Sequence, residues 1–200
     1  MKKLGIEFYD RTDVLKIAKQ LIGKILVTRF DGIVTSGRIV ETEAYIGLTD
    51  KASHSYNGKR TVRNEHMYAP PGTGYVYICY GMHHLFNVVT NKKDIPDAVL
   101  IRAIEPLKGI PEMLSRTNKK KFDNTLTRGP GNVGKALGIT KIHSGINLLG
   151  NKIFIADADS TGILIGSSRR IGVESSGDAA LLPYRFFIIG NKFVSGYPNK

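Results

Sequence analysis

Short runs of β-branched and aromatic residues, separated by turn residues, recur along the whole chain. Strands favour that pattern, because branched side chains pack well on a pleated, half-buried surface. Ile25 and Val27, then Ile33, Val34, Ile39 and Val40, lie on either side of Asp31-Gly32, a pair suited to a tight hairpin. Strand-like runs at 75–80, 85–90 and 98–104 follow, the first two joined at Gly81-Met82-His83-His84. Runs at 153–156, 163–165 and 185–189 complete the set. Helical spacing is rarer. Val14, Ile17, Ala18, Leu21 and Ile22 predict a helix over 10–23, capped by Asp10 or Thr12 and stopped by Gly23. A short helix is expected from about Val133. The class is α+β: one domain over residues 1–200, with a mostly antiparallel, curved β-sheet and a few peripheral helices.

The stretch 47–74 breaks this rhythm. It is rich in Gly, Ser, Asn and Pro, and loops of that length in a compact domain are usually functional or disordered. It carries Lys51, His54, Lys59, Arg60, Arg63 and His66, which suit phosphate contacts. The whole chain points the same way: 29 basic against 17 acidic residues give a formal net charge of +12. Such a balance favours a polyanionic partner, nucleic acid or an anionic membrane surface. No apolar run approaches the length that spans a bilayer, so a membrane partner is not expected. Met1-Lys2-Lys3-Leu4-Gly5 is followed by Glu7 and Asp10 without an apolar signal core. The single cysteine, Cys79, has no internal partner, which fits a reducing, intracellular setting.

Several motifs tempt and fail. Gly129-Pro130-Gly131-Asn132-Val133-Gly134-Lys135-Ala136 satisfies the spacing of two nucleotide-binding loops. A phosphate loop needs Ser or Thr after its lysine, and Ala136 stands there; both loops need an apolar strand before them, and 124–128 is polar. The simpler reading is a tight turn entering a helix, whose free amides could still meet a phosphate. The five histidines and one cysteine form no metal-ligand pattern, and no nucleophile elbow occurs. No metal and no cofactor are expected.

Three segments carry possible chemistry. In Ile39-Val40-Glu41-Thr42-Glu43-Ala44-Tyr45, strand alternation puts Glu41, Glu43 and Tyr45 on one face. Acids repel phosphate, so two carboxylates just before a basic loop need a purpose; the bland alternative is a solvent-facing strand edge. Tyr75-Val76-Tyr77-Ile78-Cys79-Tyr80-Gly81-Met82 offers aromatic faces and an apolar tip that could stack on or displace bases, or simply pack a sheet. Arg102 interrupts the apolar run 98–104 and must find a partner if buried, Glu43 being the natural one; alternatively its head reaches solvent.

In order along nearly the whole chain, these segments resemble the mammalian-type alkyladenine (3-methyladenine) DNA glycosylases, a family also found in bacteria. The matching stretches are Val40 to Tyr45, His54-Ser55, Arg63-Asn64, Pro71-Gly72-Thr73, Tyr75 to Met82, Asn87, Val99 to Leu107, Gly129-Pro130, Arg170-Ile171-Gly172-Val173 and Pro183-Tyr184-Arg185-Phe186. The resemblance implies a monofunctional base-excision enzyme, expected to act as a monomer on double-stranded DNA containing damaged purines. Glu43 matches the acid that holds and deprotonates the attacking water. Arg102 and the backbone carbonyl of Ile171 match its other water ligands. Tyr45 and Tyr77 match the aromatics that sandwich the flipped base, with His54 beside them. Asn87 matches the residue that selects against guanine, and Leu100 a pocket wall. Tyr80 matches the side chain that fills the gap in the duplex, with Met82 continuing the tip. His83 departs from the aromatic often found after that methionine. Lys59, Arg60 and Arg63 are the expected phosphate contacts. The competing readings are a non-catalytic nucleic-acid-binding protein, which would have no use for Glu43, and a nucleotide-dependent phosphotransferase built on 129–136.

Overall fold

The computed structural model describes residues 2–196. Two helices open the chain, α1 (Ile6–Tyr9) and α2 (Val14–Leu21). The second is shorter than 10–23, because the Asp13 side chain caps it by accepting the Lys16 amide hydrogen at 2.8 Å, and neither Asp10 nor Thr12 does so. Strands β1 (Ile25–Phe30) and β2 (Ile33–Tyr45) form the expected hairpin, with Asp31 and Gly32 both at positive φ, 51° and 78°. After the long loop come β3 (Thr73–Cys79), β4 (His83–Thr90) and β5 (Asp97–Lys108). The β3–β4 turn is Tyr80-Gly81-Met82; His83 and His84 belong to β4, where they pair with Cys79 and Ile78. The expected tip therefore moves toward the N-terminus, since Tyr80 itself adopts positive φ and turns the chain.

Two further helices follow, α3 (Ile110–Thr117), which the pattern did not announce, and α4 (Pro130–Leu137), which starts three residues before Val133. Gly129 precedes α4 at φ 89°, and proline at the first helical position needs no amide partner. Gly134 explains the glycine spacing that resembled a nucleotide loop. A Cβ there would lie 2.1 Å from the His84 carbonyl oxygen, so glycine lets α4 lie directly on β4. The chain ends through β6 (Ile146–Asn147), β7 (Ile153–Ala156), β8 (Ile165–Ser168) and β9 (Arg185–Ile188). The strand expected at 163–165 thus begins only at Ile165.

All these strands join one antiparallel sheet, ordered β6-β3-β4-β5-β2-β1-β7, with β9 pairing both β2 and β8. The fold is α+β, as expected, with a curled sheet. One face carries the main core, where Ile17, Leu21, Ile39, Phe86, Ile101, Ile104 and Leu137 pack between the sheet and the helices. Alternation sends Tyr75, Val89 and Ala98 to the opposite face, with Met67 and Tyr68 from the long loop over them. That loop is ordered from within. Buried Asn64 donates to the carbonyls of His54 and Lys59 and accepts from the Thr61 amide and hydroxyl. Among the described residues no helix is long and apolar enough to cross a membrane.

Candidate active site

The second face of the sheet is built by register. Tyr75 pairs with Asn87, Asn87 with Leu100, Leu100 with Glu43, and Glu43 with Arg185, a single line across β3, β4, β5, β2 and β9. Directly paired residues project to the same side of a sheet. One step away, Tyr77 pairs with Leu85, and Tyr45 with Ala98. A cavity of about 400 Å³ opens over these lines, within the range of small-molecule sites. Tyr45, His54, Tyr77, Asn87, Leu100, Arg102 and Ile171 all line it. Residues scattered over 128 positions of sequence therefore converge on one cavity, with Glu43 directly behind Tyr45, Arg102 and Ile171.

Arg102 reaches this face through an irregularity. Between Glu41↔Ala103 and Thr42↔Ile101, β5 advances two residues for one of β2. The extra residue is Arg102. Such bulges re-aim side chains, and this one turns the guanidinium between two carboxylates. Its Nε donates to Glu41 Oε1 at 3.0 Å, and its Nη1 lies 3.3 Å from Glu43 Oε1. Glu43 is thus a partner, as expected, but Glu41 shares the cation.

Glu43 is fully buried, which excludes the solvent-facing edge. Its Oε1 accepts the Ile171 amide hydrogen at 2.8 Å, and its Oε2 accepts the Tyr45 hydroxyl at 2.8 Å. The Ile171 amide thus meets Glu43 itself, whereas the resemblance assigns the Ile171 carbonyl to the attacking water. Burial raises the Glu43 carboxyl above its ordinary value, while Arg102, the Ile171 amide and the Tyr45 hydroxyl pull it back. Glu41 is equally buried but saturated with donors: Arg102, Arg185 at 2.6 Å, and the Ser195 amide and hydroxyl at 2.7 and 2.8 Å.

The aromatic wall is tied together. Tyr75 and Tyr77 stack at 5.7 Å, and His54 meets Tyr77 edge-on at 4.6 Å. His54 Nδ1 lies 3.1 Å from the Tyr75 hydroxyl. Burial, helped by Arg63 and Lys59, lowers His54 to about 4, so the ring is neutral at neutral pH. Asn87 spends its amide hydrogens on the carbonyls of Tyr75 and Leu85, leaving its oxygen as the acceptor on the cavity side.

At the rim, Tyr80 lines the mouth and is 87% exposed, with Met82 beside it in the turn. Arg63 lines the cavity and a second groove that it shares with Lys51 and Lys59. Arg60 lines neither; its guanidinium is engaged by Glu65 and Asp94 at the surface. Among the described residues no cluster of His, Cys, Asp and Glu could hold a metal ion.

The methylpurine-DNA glycosylase family matches residues 7–192. The chain belongs to this family. A protein of Clostridium perfringens strain SM101, provisionally named a 3-methyladenine DNA glycosylase, is 46% identical over 207 residues, covering 96% of this chain and 98% of the relative. A protein of the same provisional name from Desulfitobacterium hafniense strain Y51 is 45% identical, covering 98% and 99%. The enzyme is therefore a DNA glycosylase, a hydrolase of N-glycosyl bonds, and DNA is its substrate.

Two parts of this glycosylase's interior were not anticipated. Arg185 sits in the strand run 185–189 and is 2% exposed; the argument that singled out Arg102 applies to it equally. Arg170 gives no such signal, since Ser167, Ser168 and Arg169 precede it and no strand contains it. It forms a buried bidentate pair with Asp50, donates to the Ala44 carbonyl at 3.0 Å, and lies over the Tyr45 ring at 4.7 Å.

Proposed function

We propose that this glycosylase removes alkylated purines from duplex DNA by a monofunctional, water-mediated mechanism; the names of its relatives, which specify 3-methyladenine, support the substrate class. The observation that carries the reading is a buried carboxylate, Glu43, set against an arginine at the edge of an aromatic cavity. A base inside a duplex hides its glycosidic bond, so the nucleotide must be flipped out, at a cost of a few kcal/mol. Tyr80, at the mouth, fills the gap that is left. Tyr45 and Tyr77 receive the base between their faces, with His54 beside them. A purine alkylated at N3 or N7 is cationic, and aromatic faces favour it by about 0.5–2 kcal/mol.

As the C1′–N bond breaks, its electron pair leaves with the base and positive charge develops on the sugar. Glu43 stabilises that charge. The oxygen of a water bonds to C1′, and its proton passes to Glu43, while Arg102 and Ile171 hold the carboxylate and water in place. An alkylated cation leaves as a neutral base and needs no acid. Deaminated purines such as hypoxanthine are also substrates on this reading, but must gain a proton as they leave. Among the described residues, no lysine lines the cavity that could form an imine with the sugar, which supports base removal without strand cleavage.

The test is base release from duplexes carrying a single 3-methyladenine, 7-methylguanine, ethenoadenine or hypoxanthine. The expected result is free base with the strand intact until alkali is added. Binding without release from any of the four would return the protein to a non-catalytic binder. Gel filtration with and without DNA tests action as a monomer.

A further inference from the structure

The Tyr45 side chain faces two ways. Its ring lines the cavity, where the reading above places a base. Its hydroxyl turns away from that role and donates to Glu43 Oε2 at 2.8 Å. Glu43 is fully buried, and its donors are few: Arg102 and the Ile171 amide act on Oε1, and Tyr45 acts on Oε2. Without Tyr45, Oε2 would have no donor among the described residues.

The phenol is also held from behind. Arg170 lies over its ring at 4.7 Å, anchored by the bidentate bond to Asp50 and by the Ala44 carbonyl between Glu43 and Tyr45. The residue after Arg170 is Ile171, whose amide holds the other carboxylate oxygen. Asp50 and Arg170 thus fix both donors at once. Burial and the neighbouring Glu43 charge raise the Tyr45 phenol far above its ordinary value, so it remains a protonated donor.

We propose that the Tyr45 hydroxyl is a positioning group for the reaction: it holds Glu43 ionised and fixes the orientation of its carboxylate, a role separate from stacking by the ring. The proposal rests on Glu43 being the general base. The groups that face Glu43 and bear on its charge are Arg102 on β5, Glu41 and Tyr45 on β2, Tyr77 on β3, Arg185 on β9 and Arg170. Of these, only Tyr45 both bonds Oε2 and can lose its donor without losing shape.

The test uses 7-methylguanine duplex, whose base is cationic before it leaves and needs no added proton. Glu43 and His54, lowered to about 4, both bear on the acid limb of single-turnover release, and only Glu43 is bonded to the Tyr45 hydroxyl, so a shift of that limb on changing the hydroxyl reports Glu43. A hydrogen bond to the ionised form lowers a carboxyl's pKa, and its removal raises it. Tyr45→Phe should move the acid limb up by about one pH unit, a shift that a loss of stacking alone would not produce. A fluorinated tyrosine at position 45, a stronger donor of the same shape, should move the limb down, and it serves as the reading should Tyr45→Phe fold poorly. A limb that stays fixed in both variants overturns the proposal. So does a loss of binding and rate at every pH with no shift, which would leave Tyr45 as a wall only. Glu43→Gln is run alongside: if it keeps the parent rate, the general-base reading itself fails, an outcome distinct from an unmoved limb.

Discussion

At the centre of the sheet, Glu41, Glu43, Arg102 and Arg185 are each at most 7% exposed, while at the β3–β4 turn Tyr80 and Met82 stand 87% and 69% exposed. Charges lie where apolar residues are usual, and apolar residues lie in water. The two departures differ in how they are answered. The buried acids and arginines balance two against two and bond one another, so their partners are internal. Tyr80 has no such partner, and its φ of 49° is costly for an aromatic residue. On the proposed function, what answers the tip lies outside the protein, in the DNA. On that proposal, the inward network serves the chemistry and the outward apolar tip the distortion of the substrate.

That contrast can be broken experimentally. The largest effect is expected inside. Glu41→Gln leaves Arg102 and Arg185 without a full counter-charge and should cost about 3–5 kcal/mol of folding stability, read by chemical denaturation. Tyr80→Ala should leave stability within about 0.5 kcal/mol, because nothing is unburied. It should instead slow excision on the order of tenfold in a stably paired lesion, and less in a mismatch that opens easily. An equal loss in every pairing context would mean that Tyr80 does not act as a wedge.

The basic rim gives the smallest effects and a further contrast. Arg63→Ala should lower the salt slope of binding to undamaged duplex by about 1, as expected for one phosphate contact. Arg60→Ala should change it less, because Glu65 and Asp94 already engage that guanidinium. Equal slopes for the two variants would remove the distinction between Arg60, paired with two carboxylates, and Arg63, whose guanidinium donates to the Ile78 carbonyl and is paired with no acid among the described residues.

How far the sequence carries depends on whether a residue's role is local. The strands, the Asp31-Gly32 hairpin and the α+β class follow from alternation and turn chemistry, which act over a few residues. The line from Tyr75 to Arg185 depends on register between five strands, which no local pattern states. The residue pattern pointed to Glu43, Arg102 and their pairing, and the family resemblance to the roles of the tyrosines, but neither pointed to the second partner that Arg102 has in Glu41. Sharing of Arg102 between Glu41 and Glu43 arises from a bulge, and the Asp50–Arg170 pair joins residues 120 positions apart. Helix ends were misread for a related reason: Asp13 competes with two equally plausible caps, and only the folded backbone decides among them.

The central claim is that the buried carboxylate, and not the basic surface or the aromatic tip, performs the hydrolysis. Glu43→Gln tests it most directly, since it keeps the shape and removes the charge and the base. Single-turnover release of 7-methylguanine from a duplex is measured under saturating enzyme, with lesion-duplex affinity measured in parallel. The account predicts nearly unchanged affinity and a rate lower by about a hundred- to ten-thousandfold, the usual contribution of a positioned general base. Release at the parent rate by Glu43→Gln would contradict it.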